Sequence, residues 1–292
     1  LWKACRDVVL YWIEHGVKIF RVDNPHTKPL AFWEWMIEDV QRVHPDAIFL
    51  SESFTRPNRM KSLGKLGFSQ SYTYFTWKNS SWELRDYLTE LTKTDMLEYY
   101  RPNFFANTPD ILHEYLQHGG RSAFRIRLVL AATLSPIYGI YSGYELCENV
   151  AVKPGSEEYL DSEKYEIRVR DWNAPGNIKQ DVSKLNRIRA ENAALHELGN
   201  FEPVNTDFDG IFAYRKHAPG NELLVIVNLD PHAAHETMVD VPLAAMGLDA
   251  NEPYEVTDLL TGARYTWRGA RNYVKLDPNE RVAHLFRVTR HS

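Results

Sequence analysis

Apolar and polar positions change period twice along this chain. Near the start, Cys5, Val8, Val9, Trp12 and Ile13 form one apolar stripe, and Gly16 follows. That spacing predicts a helix over 1–15. Short β-type runs then alternate with helical ones. Strands are expected at 17–22, 47–52, 70–75 and 137–141, with an apolar run at 103–106. Helices are expected at 30–43, 81–92, 110–117, 121–134 and 181–195, with a short helical turn at 57–63. Ser80 or Ser81 caps the 81–92 helix, and Pro136 closes the 121–134 helix. Residues 145–178 read as a long polar loop.

Strand–helix alternation implies a parallel sheet with right-handed crossovers. Five strands are counted where a closed (β/α)8 barrel has eight. From about residue 200 the helical period disappears. Runs such as GIFAYRKH, ELLVIVNL, YEVTDLL and AHLFRV are rich in β-branched and aromatic residues and are separated by turn residues. They predict antiparallel strands. The expected fold is therefore α/β: a parallel βα part over residues 1–198, which is part of a (β/α)8 barrel if it is a barrel at all, and an antiparallel β-sandwich over residues 199–292. On this count three N-terminal βα units are missing, and the piece alone is expected to be inactive and poorly soluble, with open sheet edges.

Composition narrows the function classes. The 292 residues are 44% hydrophobic and 25% charged, as in soluble globular proteins. A net charge of −5 without any basic run argues against a nucleic-acid surface. No apolar run reaches the length of a membrane span. Cys5 and Cys147 stand far apart, outside any metal-ligand spacing, and read as two reduced core cysteines. There is no Walker-type glycine loop and no zinc spacing.

Chemistry concentrates in FRVDNPHTKP (20–29) and IFLSESFTRP (48–57). Each is a strand-type run ending on a carboxylate, Asp23 and Glu52, about one βαβ repeat apart. Adjacent strands lie ~4.8 Å apart. The two carboxyl groups can thus approach to roughly 5 Å, the separation in retaining glycosidases. Strand alternation puts Arg21 on the face of Asp23, where its charge favours an ionised nucleophile. Glu52 shares its face with Leu50 and Ile48, an apolar floor that suits a general acid. Asp110 in FFANTPDIL reads, from local signals, as a first-turn helix residue. His26 and Lys28 fit either a phosphate contact or a solvated loop. His113 reads as structural, and Trp172 and Tyr144 as packing residues.

FRVDNP, FLSES and FFANTPD resemble the late sequence regions of the α-amylase superfamily. DNPHTKP, SE-x-FTRP, NTPDIL and SEKYEIRVRDW resemble, more narrowly, the α-1,4-glucan:maltose-1-phosphate maltosyltransferases. Where ordinary amylases usually carry Asn-His-Asp, this chain has Asn107-Thr108-Pro109-Asp110. The resemblance implies that Asp23 is the nucleophile, Glu52 the acid/base and Asp110 the residue that binds hydroxyls of the reacting sugar, displacing the helix reading. It implies that Arg21 supports the nucleophile, that Asn24 lies near the donor phosphate, and that Lys164 and Tyr165 hold the maltosyl unit. It further implies transfer from α-maltose 1-phosphate to α-1,4-glucan without metal or organic cofactor, by a cytoplasmic homodimer. The alternatives are another α-glucan hydrolase or transglycosidase of the superfamily, and a catalytically silent carbohydrate-binding scaffold.

Overall fold

The computed structural model describes residues 1–164 and 166–290. The chain divides into two compact units. The first comprises residues 1–74 and 93–103, the second residues 75–92 and the chain from Phe104 onward.

In the first unit, α1 (Trp2–Glu14), β1 (Ile19–Asp23), α2 (Leu30–Val43), β2 (Ile48–Glu52), α3 (Pro57–Gly64) and β3 (Gln70–Tyr72) alternate as the periodicity predicts. A short helix the periodicity does not predict, α5 (Met96–Tyr99), leads into β4 (Pro102–Phe105), whose first two residues belong to this unit. β1, β2, β3 and β4 lie side by side in that order, each neighbouring pair parallel. The sheet has two chemically distinct faces because side chains alternate. Phe20, Val22 and Phe49 pack with Phe32, Trp33, Met36, Ile37 and Val40 of α2. The Phe20 and Phe49 rings stack at 5.5 Å. Arg21, Asp23, Leu50 and Glu52 occupy the opposite face.

The helix read over 1–15 is there, and of its apolar stripe Val9 and Ile13 pack against the α2 cluster, whereas Val8 and Trp12 are exposed. One expectation needs correction here. Cys5 is exposed too, and Cys147 in the second unit is only half-buried, so neither is a core residue. Burial pushes the Cys147 thiol up to about 11.

In the second unit, α4 (Ser81–Lys93) is capped by Ser80, the first of the two candidate caps. Glu83 N–H donates to Ser80 Oγ, and Ser80 N–H and Oγ donate back to Glu83 Oε2, a reciprocal capping box. α6 spans Glu114–Leu134 but breaks at Gly120, whose φ of 57° and ψ of −160° are not helical. The two separate helices read from sequence are thus two helical stretches joined at a glycine. β5 (Ile137–Gly139) follows, and Ala106 N–H donates to Gly139 O. The described residues of 147–178 carry no helix or strand before α7 (Lys179–Glu191).

The rest is antiparallel. β6 (Phe201–Val204), β7 (Ile211–Ala218), β8 (Asn221–Asn228), β10 (Pro253–Asp258), β11 (Arg264–Arg268) and β13 (Ala283–Arg290) form a six-stranded sheet in the order β11-β10-β13-β8-β7-β6. β9 (His235–Asp240) and β12 (Arg271–Leu276) form a two-stranded ribbon. One apolar cluster joins them, with Val239, Val274 and Leu276 from the ribbon against Ile226, Val256 and Phe286 from the sheet.

This second unit also holds a feature the sequence did not announce. Arg127 of α6 is fully buried, its guanidinium stacked 3.8 Å from the Phe75 ring centroid. It donates to Lys78 O and Phe75 O, both at 2.6 Å. Burial pushes its pKa down to about 10.

Candidate active site

β1 and β2 run parallel with Asp23 and Glu52 as direct register partners. Both side chains therefore leave the same face at the same end of adjacent strands. The Asp23 side chain is 69% exposed and that of Glu52 only 7%. Arg21 lies one side-chain layer before Asp23, as the alternation predicts, but its charge is shared. Its guanidinium is 3.5 Å from Glu52 Oε1 and 4.0 Å from Asp23 Oδ1. The apolar floor expected under Glu52 is accordingly incomplete. Leu50 is there, but so are a cation and a backbone donor.

That donor is Asn24, the residue that turns the chain off β1. It adopts a left-handed conformation, φ 45° and ψ 52°. Asn tolerates this region because its short amide bonds locally. Here the amide Nδ2 donates to Asp23 Oδ1 at 2.8 Å. The Asn24 backbone N–H donates to Glu52 O at 3.0 Å and faces Glu52 Oε2 at 3.2 Å. One residue thus grips both carboxylates.

The loop beyond is tethered rather than freely solvated. Trp33 Nε1 donates to Pro25 O, and Arg59 donates from Nε to His26 O and from an Nη to Lys28 O. His26 Nδ1 is buried without a hydrogen-bond partner among the described residues.

The second unit brings Asp110 and Lys164 together in an ion pair, with Glu158 3.8 Å from the same ammonium. Asp110 is not in the first turn of a helix. Thr108 and Ile111 bond each other's backbone across a four-residue turn, and Asp110 N–H donates to Thr108 Oγ1 at 3.2 Å. The helix cap is His113, whose Nδ1 accepts from Tyr115 N–H at 3.1 Å. Pro109 therefore shapes a turn that presents Asp110, while α6 starts four residues later. Lys164 lines an open cavity of about 370 Å³ with Pro109, Val152, Glu158, Tyr159 and Glu166. Tyr165 lies outside the described residues.

Sequence reasoning missed the frame around Lys164. Arg170, with a side chain 4% exposed, bonds Glu148 at 2.9 Å and Glu163 at 2.8 Å. Arg168 adds a contact to Glu148 at 3.4 Å and bonds the carbonyls of Leu160 and Asp161. The Arg-x-Arg spacing in EIRVRDW was the available signal. Asn107 is fully buried, with Nδ2 donating to Tyr159 Oη at 2.6 Å and Oδ1 accepting from Tyr141 N–H at 2.8 Å. Tyr144 is a packing residue, as expected, buried against Phe124. Among the described residues no cluster of three or more His, Cys, Asp or Glu is placed to hold a metal ion. No described helix is long and apolar enough to cross a membrane.

The fold matches the crystal structure of an Anoxybacillus α-amylase with a TM-score of 0.77, at 16% identity, over 100% of this chain and 63% of that one. Such identity speaks for the fold alone. Sequence likeness goes further. The chain is 54% identical over 289 residues to α-1,4-glucan:maltose-1-phosphate maltosyltransferase 2 of Streptomyces coelicolor, covering 98% of this chain and 43% of that protein. It is 51% identical to the enzyme of the same name from Pseudomonas aeruginosa, covering 99% and 44%. Residues 204–288 match the family described as GLGE, C-terminal. The chain is thus similar over nearly its whole length to these maltosyltransferases, and it spans less than half the length of the curated relatives it matches.

Proposed function

We propose that this chain carries the reacting carboxylates of a retaining maltosyltransferase, which moves maltosyl units from α-maltose 1-phosphate to the non-reducing ends of α-1,4-glucans. The observation that carries the reading is the in-register pair Asp23 and Glu52, gripped from two sides by Arg21 and Asn24.

In this scheme Asp23, the more exposed carboxylate, attacks the anomeric carbon of the donor. The bond from that carbon to the phosphate oxygen breaks, and Glu52 gives its proton to the departing phosphate. Glu52 then takes the proton of the acceptor hydroxyl. That oxygen attacks the anomeric carbon and releases Asp23, so two inversions give net retention. Arg21 and Asn24 hold the nucleophile in place. Asn24, with its amide on Asp23, borders the position of the leaving phosphate. Asp110 binds hydroxyls of the reacting sugar, and Lys164 and Tyr165 hold the maltosyl unit.

The same reading takes residues 1–198 as part of a (β/α)8 barrel and residues 199–292 as a β-sandwich, within a cytoplasmic homodimer. The test is phosphate release from maltose 1-phosphate by the intact protein, which is expected to require glucan. Free maltose as the main product would point to a hydrolase. An Asp23→Ala variant with unchanged turnover would sink the catalytic assignment.

A further inference from the structure

The chain as a whole is acidic, with a net charge of −5. One cavity in the second unit runs against that balance. It holds about 400 Å³ and lies between α6, α7, the turn after β10 and the segment leading into β13. Four cationic side chains line it: Arg121 and Arg125 from α6, Lys184 from α7, and Arg281 just before β13. Only two carboxylates, Asp181 and Glu280, face them. Leu128, Leu185 and Val282, all buried, give the cavity an apolar wall. It shares no lining residue with the cavity at Lys164.

The positive charge is not used up inside the protein. Asp181 serves both arginines, 3.1 Å from Arg125 Nε and 3.4 Å from an Arg121 Nη. Arg125 bonds only through that Nε, so its two Nη groups remain as donors. Lys184 Nζ donates to Leu260 O at 2.7 Å, which occupies one of its three donor protons. The half-buried Arg281 side chain makes no hydrogen bond or ion pair with a described residue. Glu280 is exposed to water.

We propose that this cavity binds a small organic phosphate monoester with an apolar or aromatic body, such as a nucleoside monophosphate. The site goes beyond the transfer reaction and does not rest on it. A phosphate monoester carries about −1.5 to −2 charges at pH 7, which matches the excess of cations. A carboxylate is planar and is satisfied by one guanidinium fork. Here the donors come from α6, α7 and the approach to β13, an arrangement that suits a head with three outward oxygens. Arginine fits phosphate well because its planar fork bonds two oxygens at once. The volume of about 400 Å³ exceeds what a bare ion needs and falls within the roughly 300–1,000 Å³ of small-molecule sites. The leucine and valine wall then covers the body of the ligand. A cleft lined mainly by one sign of charge also focuses its field, which draws the anion in.

The experiment uses the intact protein with AMP as the probe, in calorimetric titration and thermal unfolding. AMP is expected to bind saturably, a single molecule per chain, and to raise Tm. Adenosine, which lacks the phosphate, and ribose 5-phosphate, which lacks the base, are each expected to bind about tenfold more weakly or worse. Arg281→Gln loses no described partner, so it is expected to keep the Tm of the unliganded protein. It should weaken AMP binding about tenfold, equivalent to ~1.4 kcal/mol. Lys184→Gln is expected to weaken it by a similar factor. No AMP binding, or an affinity unchanged in both variants, would overturn the proposal. Displacement of AMP by maltose 1-phosphate would also overturn it, since the nucleotide would then sit where the sugar phosphate does. Ribose 5-phosphate binding as tightly as AMP would overturn the apolar body assigned to the ligand.

Discussion

Asn24 offers a sharp test of how the carboxylate pair is held, because its backbone and side chain do separable work. The amide donates to Asp23 Oδ1 at 2.8 Å, and the φ of 45° lies in the left-handed region. Hydrogen bonds to charged groups contribute about 1.5–3 kcal/mol. Asp23 is 69% exposed, so water competes and the figure must be discounted. A loss of ~1.4 kcal/mol, or roughly tenfold in kcat, is expected on removing the amide. The backbone contributes separately. Alanine in the left-handed region costs about 1–2 kcal/mol, whereas glycine costs little there. Asn24→Gly and Asn24→Ala should therefore lose similar amounts of kcat in glucan-dependent phosphate release. Only Asn24→Ala should lose ~1 kcal/mol in denaturant unfolding. Asn24→Asp places an acceptor against Asp23 and is expected to lose more activity than either. Wild-type kcat in Asn24→Gly would refute the positioning argument. A loss confined to KM for maltose 1-phosphate would also refute it, assigning the amide to the donor phosphate instead.

The second unit supplies further predictions. His113 caps α6 through an unprotonated Nδ1, and burial holds its pKa below the ordinary value. The unfolded chain therefore takes up the proton first, so stability is complete above about pH 6.5 and falls as pH drops below it. His113→Asn keeps a capping side chain without a titrating group, and the corresponding slope in unfolding free energy between pH 5 and 7 should flatten; an unchanged slope would contradict this. Replacing Arg127 with Met leaves Lys78 O and Phe75 O without their donors and should cost about 1–3 kcal/mol, measured by denaturant titration. Gly143 has φ +95°, and a Cβ there would stand 2.1 Å from a Glu148 carboxylate oxygen. Gly143→Ala should cost about 1–3 kcal/mol and displace Glu148 from Arg170, which limited proteolysis of the 147–178 loop would register.

The βα alternation, the strand ends at Asp23 and Glu52 and the break between the two halves of α6 were legible because each is encoded locally. Period, caps and glycines act over a few residues. The change to antiparallel strands after residue 200 was visible for the same reason. Local signals failed at Asp110. Asn-Thr-Pro-Asp reads as a helix start, yet the backbone closes a turn between Thr108 and Ile111 and leaves capping to His113. Competing local hydrogen bonds of similar worth decide such cases, and the sequence does not rank them.

What the sequence determined by itself is which residues are available: two carboxylates at strand ends one repeat apart, with Arg21 on the same face as the first. Pleating alone requires that. What only the tertiary structure decided is how the charges are shared. The register of β1 on β2 makes Asp23 and Glu52 direct partners and lets Arg21 reach both. The left-handed turn at Asn24 adds a donor to each carboxylate. The pairing of Lys164 with Asp110 joins residues more than fifty positions apart. Electrostatic and hydrogen-bond partners depend on distance in space, and strand register, loop closure and backbone handedness set that distance.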